Sequence, residues 1–298
     1  MRNHKKIIYI LFFFIVIFFV FDIFLFVKDL TPKKFISILN TKLNGPTEPN
    51  TEFNVNYLNK KNTKNLIFIG HKGGSPDWLF SENSINSLIF SKKMGISIFE
   101  IDVLLTKDKI PIVFHDPHLY RLTGVKHFVN EINYEQLKYI RLRDSQYIPR
   151  LDTLLNLFPD LLVDLTHNTI EDSKFIINFL ILNKSIIKAN KFILQTNSNE
   201  VINYIQSKNL NIKVSYNEWG DRIQNVNNYK DYSNIFTLNP SEQITKIIID
   251  KLGKNKTIFA VVQNDNLSEI IRLQKLGIKY FMINNSILIG RETFLKIK

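Results

Sequence analysis

The chain has 298 residues, 45% of them hydrophobic, with 39 Lys and Arg against 27 Asp and Glu for a formal charge of +12. It has no cysteine, which excludes thiol catalysis, disulfides and Cys-ligated zinc. The basic balance favours an anionic partner such as lipid headgroups or phosphate esters. No helix-turn-helix, zinc-finger or stacking-platform pattern points to nucleic acid.

Ile7 to Val27 is an almost unbroken apolar run interrupted by one acid, Asp22. At roughly 1.5 Å per residue it is about 31 Å long, one bilayer core. The run is bulky and aromatic, and no small-residue cleavage site follows it, which favours an uncleaved anchor over a signal peptide. The expected organisation is therefore an N-terminal membrane anchor over residues 1–28, a polar linker with Pro32, Pro46 and Pro49 over 29–65, and one large domain over 66–298. Arg2, Lys5 and Lys6 precede the span, and Lys28, Lys33 and Lys34 follow it with Asp29. This charge pattern slightly favours a cytoplasmic tail, with the large domain on the non-cytoplasmic side.

Beyond the linker, short β-branched or aromatic runs alternate with helical patterns. Strands are expected at Leu66–Gly70, Ile98–Val103, Leu161–Leu165, Phe192–Gln195, Ile212–Tyr216, Ile235–Leu238, Ile258–Val262 and Tyr280–Ile283. Helices are expected at Ser84–Met94, Asp152–Phe158, Ile170–Leu182, Ser198–Ser207, Ser241–Leu252 and Leu267–Leu276, with Ser198 and Ser241 as N-caps. Eight strands alternating with helices predict a parallel (β/α)8 barrel.

One further apolar run, Ile110–Phe114, breaks the alternation. Only Leu104 to Lys109 separate it from the Ile98–Val103 strand, too few residues for a parallel crossover. A hairpin turning near Asp108 fits instead. At roughly 3.3 Å per residue, about five residues up and five down return His115 to the height of Asp102. Glu100 and Asp102, two apart on a strand, share a face and would point into the barrel mouth, where unpaired carboxylates are costly without a cation. His71 ends the first strand in Gly70-His71-Lys72-Gly73-Gly74. One histidine at a strand end means little. Two, with Glu-x-Asp between them, are the equipment for metal-assisted acid–base chemistry on a phosphate ester. An all-oxygen ligand set suits Mg²⁺ or Ca²⁺. His118, His127 and His167 lack a partner pattern and read as surface. Trp78 and Trp219 read first as core or loop packing, with the lining of a pocket as the alternative.

His71-Lys72-Gly73, Ser81-Glu82-Asn83-Ser84, Glu100-Ile101-Asp102-Val103, Leu105-Thr106-Lys107-Asp108, Ile112-Val113-Phe114-His115-Asp116-Pro117, Arg121 and Ile148-Pro149-Arg150-Leu151 resemble, in order and spacing, the glycerophosphodiester phosphodiesterase family. The likeness is strong from about 66 to 166 and co-linear to about 290. The resemblance implies a TIM-type barrel and hydrolysis of glycerophosphodiesters or lysophospholipid-like substrates. It implies catalytic roles for His71 and His115, and a divalent cation on Glu100, Asp102 and Asp164. It places Lys72 and Glu82 toward the substrate. Asp164 also reads as a capping or loop acid, and Glu82 as a helix cap. The chain departs from the family in having Asp164 for Glu, Thr166 for Lys and Lys72 for Arg. Its C-terminal motifs are altered to Val261-Val262-Gln263-Asn264 and Asn284-Asn285. These departures keep a second reading open: a catalytically impaired barrel serving as a membrane-tethered phosphate-ester or headgroup binding module.

Overall fold

The computed structural model describes residues 66–158, 160–183, 192–209, 212–263 and 266–286. The expected anchor and linker lie outside the described residues. Among those described, no helix is long and apolar enough to cross a membrane.

Eight described strands are parallel and close on themselves. They are β1 (Ile67–Gly70), β2 (Ile98–Leu105), β4 (Leu161–Asp164), β5 (Ile193–Thr196), β6 (Lys213–Trp219), β7 (Ile235–Asn239), β8 (Thr257–Val261) and β9 (Tyr280–Ile283). β1 pairs with both β2 and β9, which seals the barrel. The connecting helices are α1 (Ile85–Lys93), α4 (Leu151–Leu157), α5 (Ile170–Leu182), α6 (Asn199–Ser207), α7 (Lys246–Leu252) and α8 (Leu267–Lys275). Between β2 and α4 the chain makes an excursion carrying β3 (Pro111–Val113), α2 (Tyr120–Thr123) and α3 (Tyr134–Leu137).

β3 runs antiparallel to β2, with Val103 opposite Val113 and Leu105 opposite Pro111. The hairpin expected from the short link is thus present. Its turn is tied by Thr106, whose side chain accepts from the Ile110 N–H at 2.9 Å and donates to Asp108 at 2.6 Å. The Phe114 N–H reaches the Asp102 carbonyl at 3.0 Å, which places His115 next to Asp102.

Strand alternation sorts side chains into two cores. One face of each strand packs outward against the helices, as Phe99, Ile101, Val163, Leu194 and Phe236 do. The other face fills the barrel with Ile69, Ile98, Leu162, Ile193, Ile235 and Phe259. Following the inward face toward the strands' C-terminal ends, apolar residues give way to polar ones: Ile98 to Glu100 and Asp102, Leu162 to Asp164, Ile193 to Gln195, and Ile235 to Thr237. A third cluster, built on Leu104, Ile112, Phe114, Leu119 and Leu137, lies under the excursion.

Two local expectations need correction. β6 continues three residues past Tyr216 to Trp219 and runs into a 3-10 segment, Gly220–Asn228. Ser241 does not cap α7. It opens a 3-10 turn, Ser241–Gln243, and Thr245 is the cap, its side chain accepting from the Ile248 N–H. Ser198 caps α6 as expected.

Phe114 is 1% exposed and anchors the third cluster immediately before His115. Phe114→Ala is expected to lower unfolding stability by roughly 3–5 kcal/mol in urea denaturation. Lys107→Ala, at the exposed hairpin turn, should stay within about 0.5 kcal/mol of the parent. Equal stabilities for the two variants would show that the excursion does not depend on this cluster.

Candidate active site

The site stands at the C-terminal end of the barrel strands, where β–α loops converge. Strand register builds its centre. Asp102 on β2 lies directly beside Asp164 on β4, and Asp164 beside Gln195 on β5. Glu100 is one inward position below Asp102. One carboxylate oxygen from each of Glu100, Asp102 and Asp164 lies within 4.8 Å of the others, and all three residues are buried.

Each acid is held by a specific partner. The Lys72 N–H donates to Glu100 Oε2 at 2.7 Å. Asn83 braces Asp102 twice: its amide Nδ2 donates to Asp102 Oδ2 at 2.8 Å, and its Oδ1 accepts from the Asp102 N–H at 3.1 Å. Asp164 accepts from the Thr166 N–H and from Gln195 Nε2, both at 2.7 Å. Gln195 is fixed in turn by the Thr237 hydroxyl at 2.6 Å, which meets Ser215 at 2.9 Å.

The first loop makes the Lys72 contact possible. His71–Gly73 is a 3-10 turn in which Lys72 has φ +51°, Gly73 +92° and Gly74 +73°. A Cβ at Gly73 would meet Ser87 Oγ at 2.5 Å, and one at Gly74 would meet the Gly70 Cα at 2.6 Å. The two glycines therefore let the turn press on α1 and aim the Lys72 amide at Glu100.

Two imidazoles flank the acids. His71 donates from Nδ1 to Asn284 Oδ1 at 2.7 Å, and its Nε2 lies 3.8 Å from Glu100 Oε2. Burial, and then the neighbouring Lys72 charge, push the His71 pKa down, so the ring is held neutral. His115 donates from Nδ1 to Asp116 Oδ1 at 2.7 Å. Asp116 is gripped by Arg121, whose guanidinium also forks onto Glu82. Burial alone would raise the Asp116 carboxyl, but hydrogen bonds from Arg121 and His115 prevail and hold it at about 2. Lys72 Nζ stands 3.9 Å from Glu82 Oε1.

All the expected site residues are thus gathered at one rim. Asp164 sits with the other two acids and caps no helix: α5 is capped by Thr169. Glu82 is not a cap either, since Ser84 caps α1. Of the supporting residues, Asn83, Asp116, Arg121 and Asn284 stand in the motifs quoted from the sequence without a role assigned to them, and Gln195 stands in none. His167, read as surface, is exposed, yet its ring meets His115 edge to face with centroids 4.6 Å apart. Trp78, read first as a packing residue, is 76% exposed and lines a pocket of about 290 Å³ with Glu82, Arg121 and Arg143. Trp219 is likewise exposed at the end of β6.

The donor set fits a hard divalent cation. Glu100 Oε1 is buried with no hydrogen-bond partner. Burial, and then repulsion from Asp102 and Asp164, raise the Glu100 pKa well above its usual range. Burial and Asp102 likewise push Asp164 up to about 7. Three crowded acids and an orphaned carboxylate oxygen are what a cation would relieve.

The sequence model of the Glycerophosphoryl diester phosphodiesterase family matches residues 71–287. The chain belongs to this family. Over 84 residues, 28% of the chain, it is 36% identical to a human lysophospholipase D. Over 77 residues, 24% of the chain, it is 38% identical to a Schizosaccharomyces pombe glycerophosphocholine phosphodiesterase. These alignments span 24% and 7% of the relatives' own lengths. Among solved structures, a glycerophosphodiester phosphodiesterase from Agrobacterium tumefaciens has a TM-score of 0.61 at 16% identity, covering 76% of this chain and 99% of that one. An Oleispira antarctica phosphodiesterase, solved with its product sn-glycerol-3-phosphate, has a TM-score of 0.61 at 17% identity, covering 76% and 96%. At these identities the structural likeness speaks for the fold of the family.

The acid cluster predicts a pH-dependent stability. Glu100 and Asp164 bind protons more tightly folded than unfolded, so their contribution is full below the ordinary carboxylate range. It is lost as pH rises through the Asp164 value of about 7. Cation-free protein should therefore lose thermal stability between about pH 5 and about pH 8, and Mg²⁺ or Ca²⁺ should raise Tm more at the higher pH. A Tm insensitive to cation at about pH 8 would contradict the assignment of these acids as a cation site.

Proposed function

We propose that this chain hydrolyses glycerophosphodiesters or lysophospholipid-like diesters by two-histidine acid–base catalysis supported by a divalent cation. The observation that carries this reading is the flanking of one carboxylate cluster by two differently held imidazoles, His71 beside Glu100 and His115 beside Asp102. Glu100, Asp102 and Asp164 would hold the ion, which supplies positive charge against a non-bridging phosphate oxygen as the transition state forms.

His71 is the base. Its Nδ1 proton is committed to Asn284, its ring is kept neutral by burial and Lys72, and so Nε2 carries the lone pair. It takes the proton from the glycerol hydroxyl next to the phosphate. That oxygen attacks phosphorus, and the bond to the departing alcohol breaks. His115 is the acid: it gives its Nε2 proton to the leaving oxygen, while Asp116 holds Nδ1 and so orients the ring. Water then opens the resulting cyclic phosphate, with the two histidines exchanging roles. Lys72 adds a point charge beside the phosphate, and Glu82, through Arg121 and Asp116, orients His115.

The reading extends to a membrane setting. The apolar run Ile7–Val27 supports an uncleaved anchor with the barrel on the non-cytoplasmic side. Exposed Trp78 and Trp219 at the catalytic rim, together with the net positive charge, support a lipid-derived diester as substrate.

Turnover of glycerophosphocholine and lysophosphatidylcholine, with Mg²⁺, Ca²⁺ or EDTA, tests the proposal. His71→Ala and His115→Ala should each lower kcat by roughly 10²–10⁴. Glu100→Gln should weaken the cation dependence, and EDTA should abolish the rate. Full rates in EDTA, or from His71→Ala, would sink it. A second check uses the leaving group. With a good leaving group such as p-nitrophenol, His115→Ala should recover much of its lost rate while His71→Ala does not; equal recovery would reverse or remove the acid–base assignment.

A further inference from the structure

His167 lies outside the mechanism above, yet it stands against its acid. It follows β4 by three residues, and its ring meets His115 at a 72° interplanar angle. One donor atom from each of Asp102, His115 and His167 lies within 4.8 Å of the others. The free valences point to a use. His115 Nδ1 is committed to Asp116, leaving Nε2. Asp102 Oδ2 accepts from Asn83, and Asp102 is the donor that this group has in common with the acid cluster. His167 is exposed, so the group opens to solvent and an ion can enter without rearranging the barrel.

The donor chemistry differs from that of the acid cluster. Glu100, Asp102 and Asp164 offer oxygens alone, which suit Mg²⁺ or Ca²⁺. Two imidazole nitrogens and one carboxylate oxygen suit a borderline ion such as Zn²⁺, with a fourth position left for water. Asp116 behind His115 supplies the carboxylate–imidazole backing that orients a ligating histidine, and Arg121 fixes that carboxylate in turn.

We propose that Asp102, His115 and His167 form a transition-metal site that takes Zn²⁺ and, when filled, withdraws His115 from the reaction. Zinc on Nε2 displaces the proton that His115 would give to the leaving oxygen. Zn²⁺ is therefore an inhibitor of the phosphodiesterase. Binding stands on the geometry alone, whereas inhibition rests on the reading of His115 as acid.

Isothermal titration of ZnCl₂ into the full chain at saturating Mg²⁺ tests binding, and Co²⁺ in its place gives a visible absorption band on imidazole coordination. The wild type should bind zinc at this site. His167→Ala and His167→Asn should bind it more than about tenfold more weakly and lose the cobalt band. His127→Ala, an exposed histidine elsewhere on the excursion, should match the wild type. Zinc affinity and cobalt spectra unchanged in both His167 variants would overturn the site. In the rate assay, micromolar-range Zn²⁺ should suppress wild-type turnover even in excess Mg²⁺, and His167→Ala should resist it. Zinc bound through His167 with no turnover of any diester would uphold the site and refute the phosphodiesterase reading. Magnesium-dependent turnover with no His167-dependent zinc binding would do the reverse.

Discussion

Crowding three carboxylates at the dry mouth of a barrel is the constraint around which this molecule is arranged. Glu100, Asp102 and Asp164 are buried and within reach of one another, and both Glu100 and Asp164 resist ionisation there. Isolated ionised carboxylates in such a place are strongly unfavourable. The surroundings answer with oriented donors: the Lys72 amide, the Asn83 side chain, the Thr166 amide and the Gln195–Thr237–Ser215 network. These satisfy part of each acid and leave Glu100 Oε1 without a partner. An arrangement that only stabilised the fold would have paired or replaced that oxygen. Keeping it open makes sense for a site that completes itself with an ion.

The β2–β3 hairpin solves a second problem, that of bringing a side chain to the barrel mouth from outside the strand sequence. A barrel strand delivers its inward residues to the rim, but each strand ends once. By folding back on β2, the chain returns to the rim within a dozen residues and sets His115 beside Asp102. The excursion that follows has its own apolar cluster, so Asp116 and Arg121 are carried on a packed element. Arg121 bridges this excursion to the β1–α1 loop through Glu82. The imidazole is thereby oriented from two independent parts of the chain.

The barrel was readable because its strands are short apolar runs spaced by helical patterns, and all eight expected strand positions hold strands. The hairpin was readable from loop length alone. Glu100 and Asp102 were readable from period-two alternation, which fixes a face. Alternation does not say which residue of another strand stands beside that face. Gln195 joins Asp164 only through register, and Asn284 meets His71 across the closure of the barrel, 213 residues away in sequence. His167 was passed over for the same reason: the loop that carries it has no periodicity, and its partner belongs to another loop. Ser241 misleads because a good capping residue begins an apolar pattern, while the helix itself starts at Lys246 behind another good cap, Thr245.

The two histidines are held in opposite ways, and this asymmetry argues for their separate duties. His71 is backed by a neutral amide, and its surroundings disfavour the charged ring, since burial and Lys72 both work against protonation. A ring so placed is a competent proton acceptor at neutral pH and becomes charged only as it acts. His115 is backed by a carboxylate kept ionised by Arg121, and Glu82 adds a second negative charge nearby. That carboxylate fixes the ring through Nδ1 and leaves Nε2 facing the site, the position from which an acid would deliver its proton. The same backing would make a neutral His115 a strong metal ligand. In the proposed reading, proton donation and zinc capture would draw on one feature, the Asp116–Arg121 support, and compete for one atom, His115 Nε2.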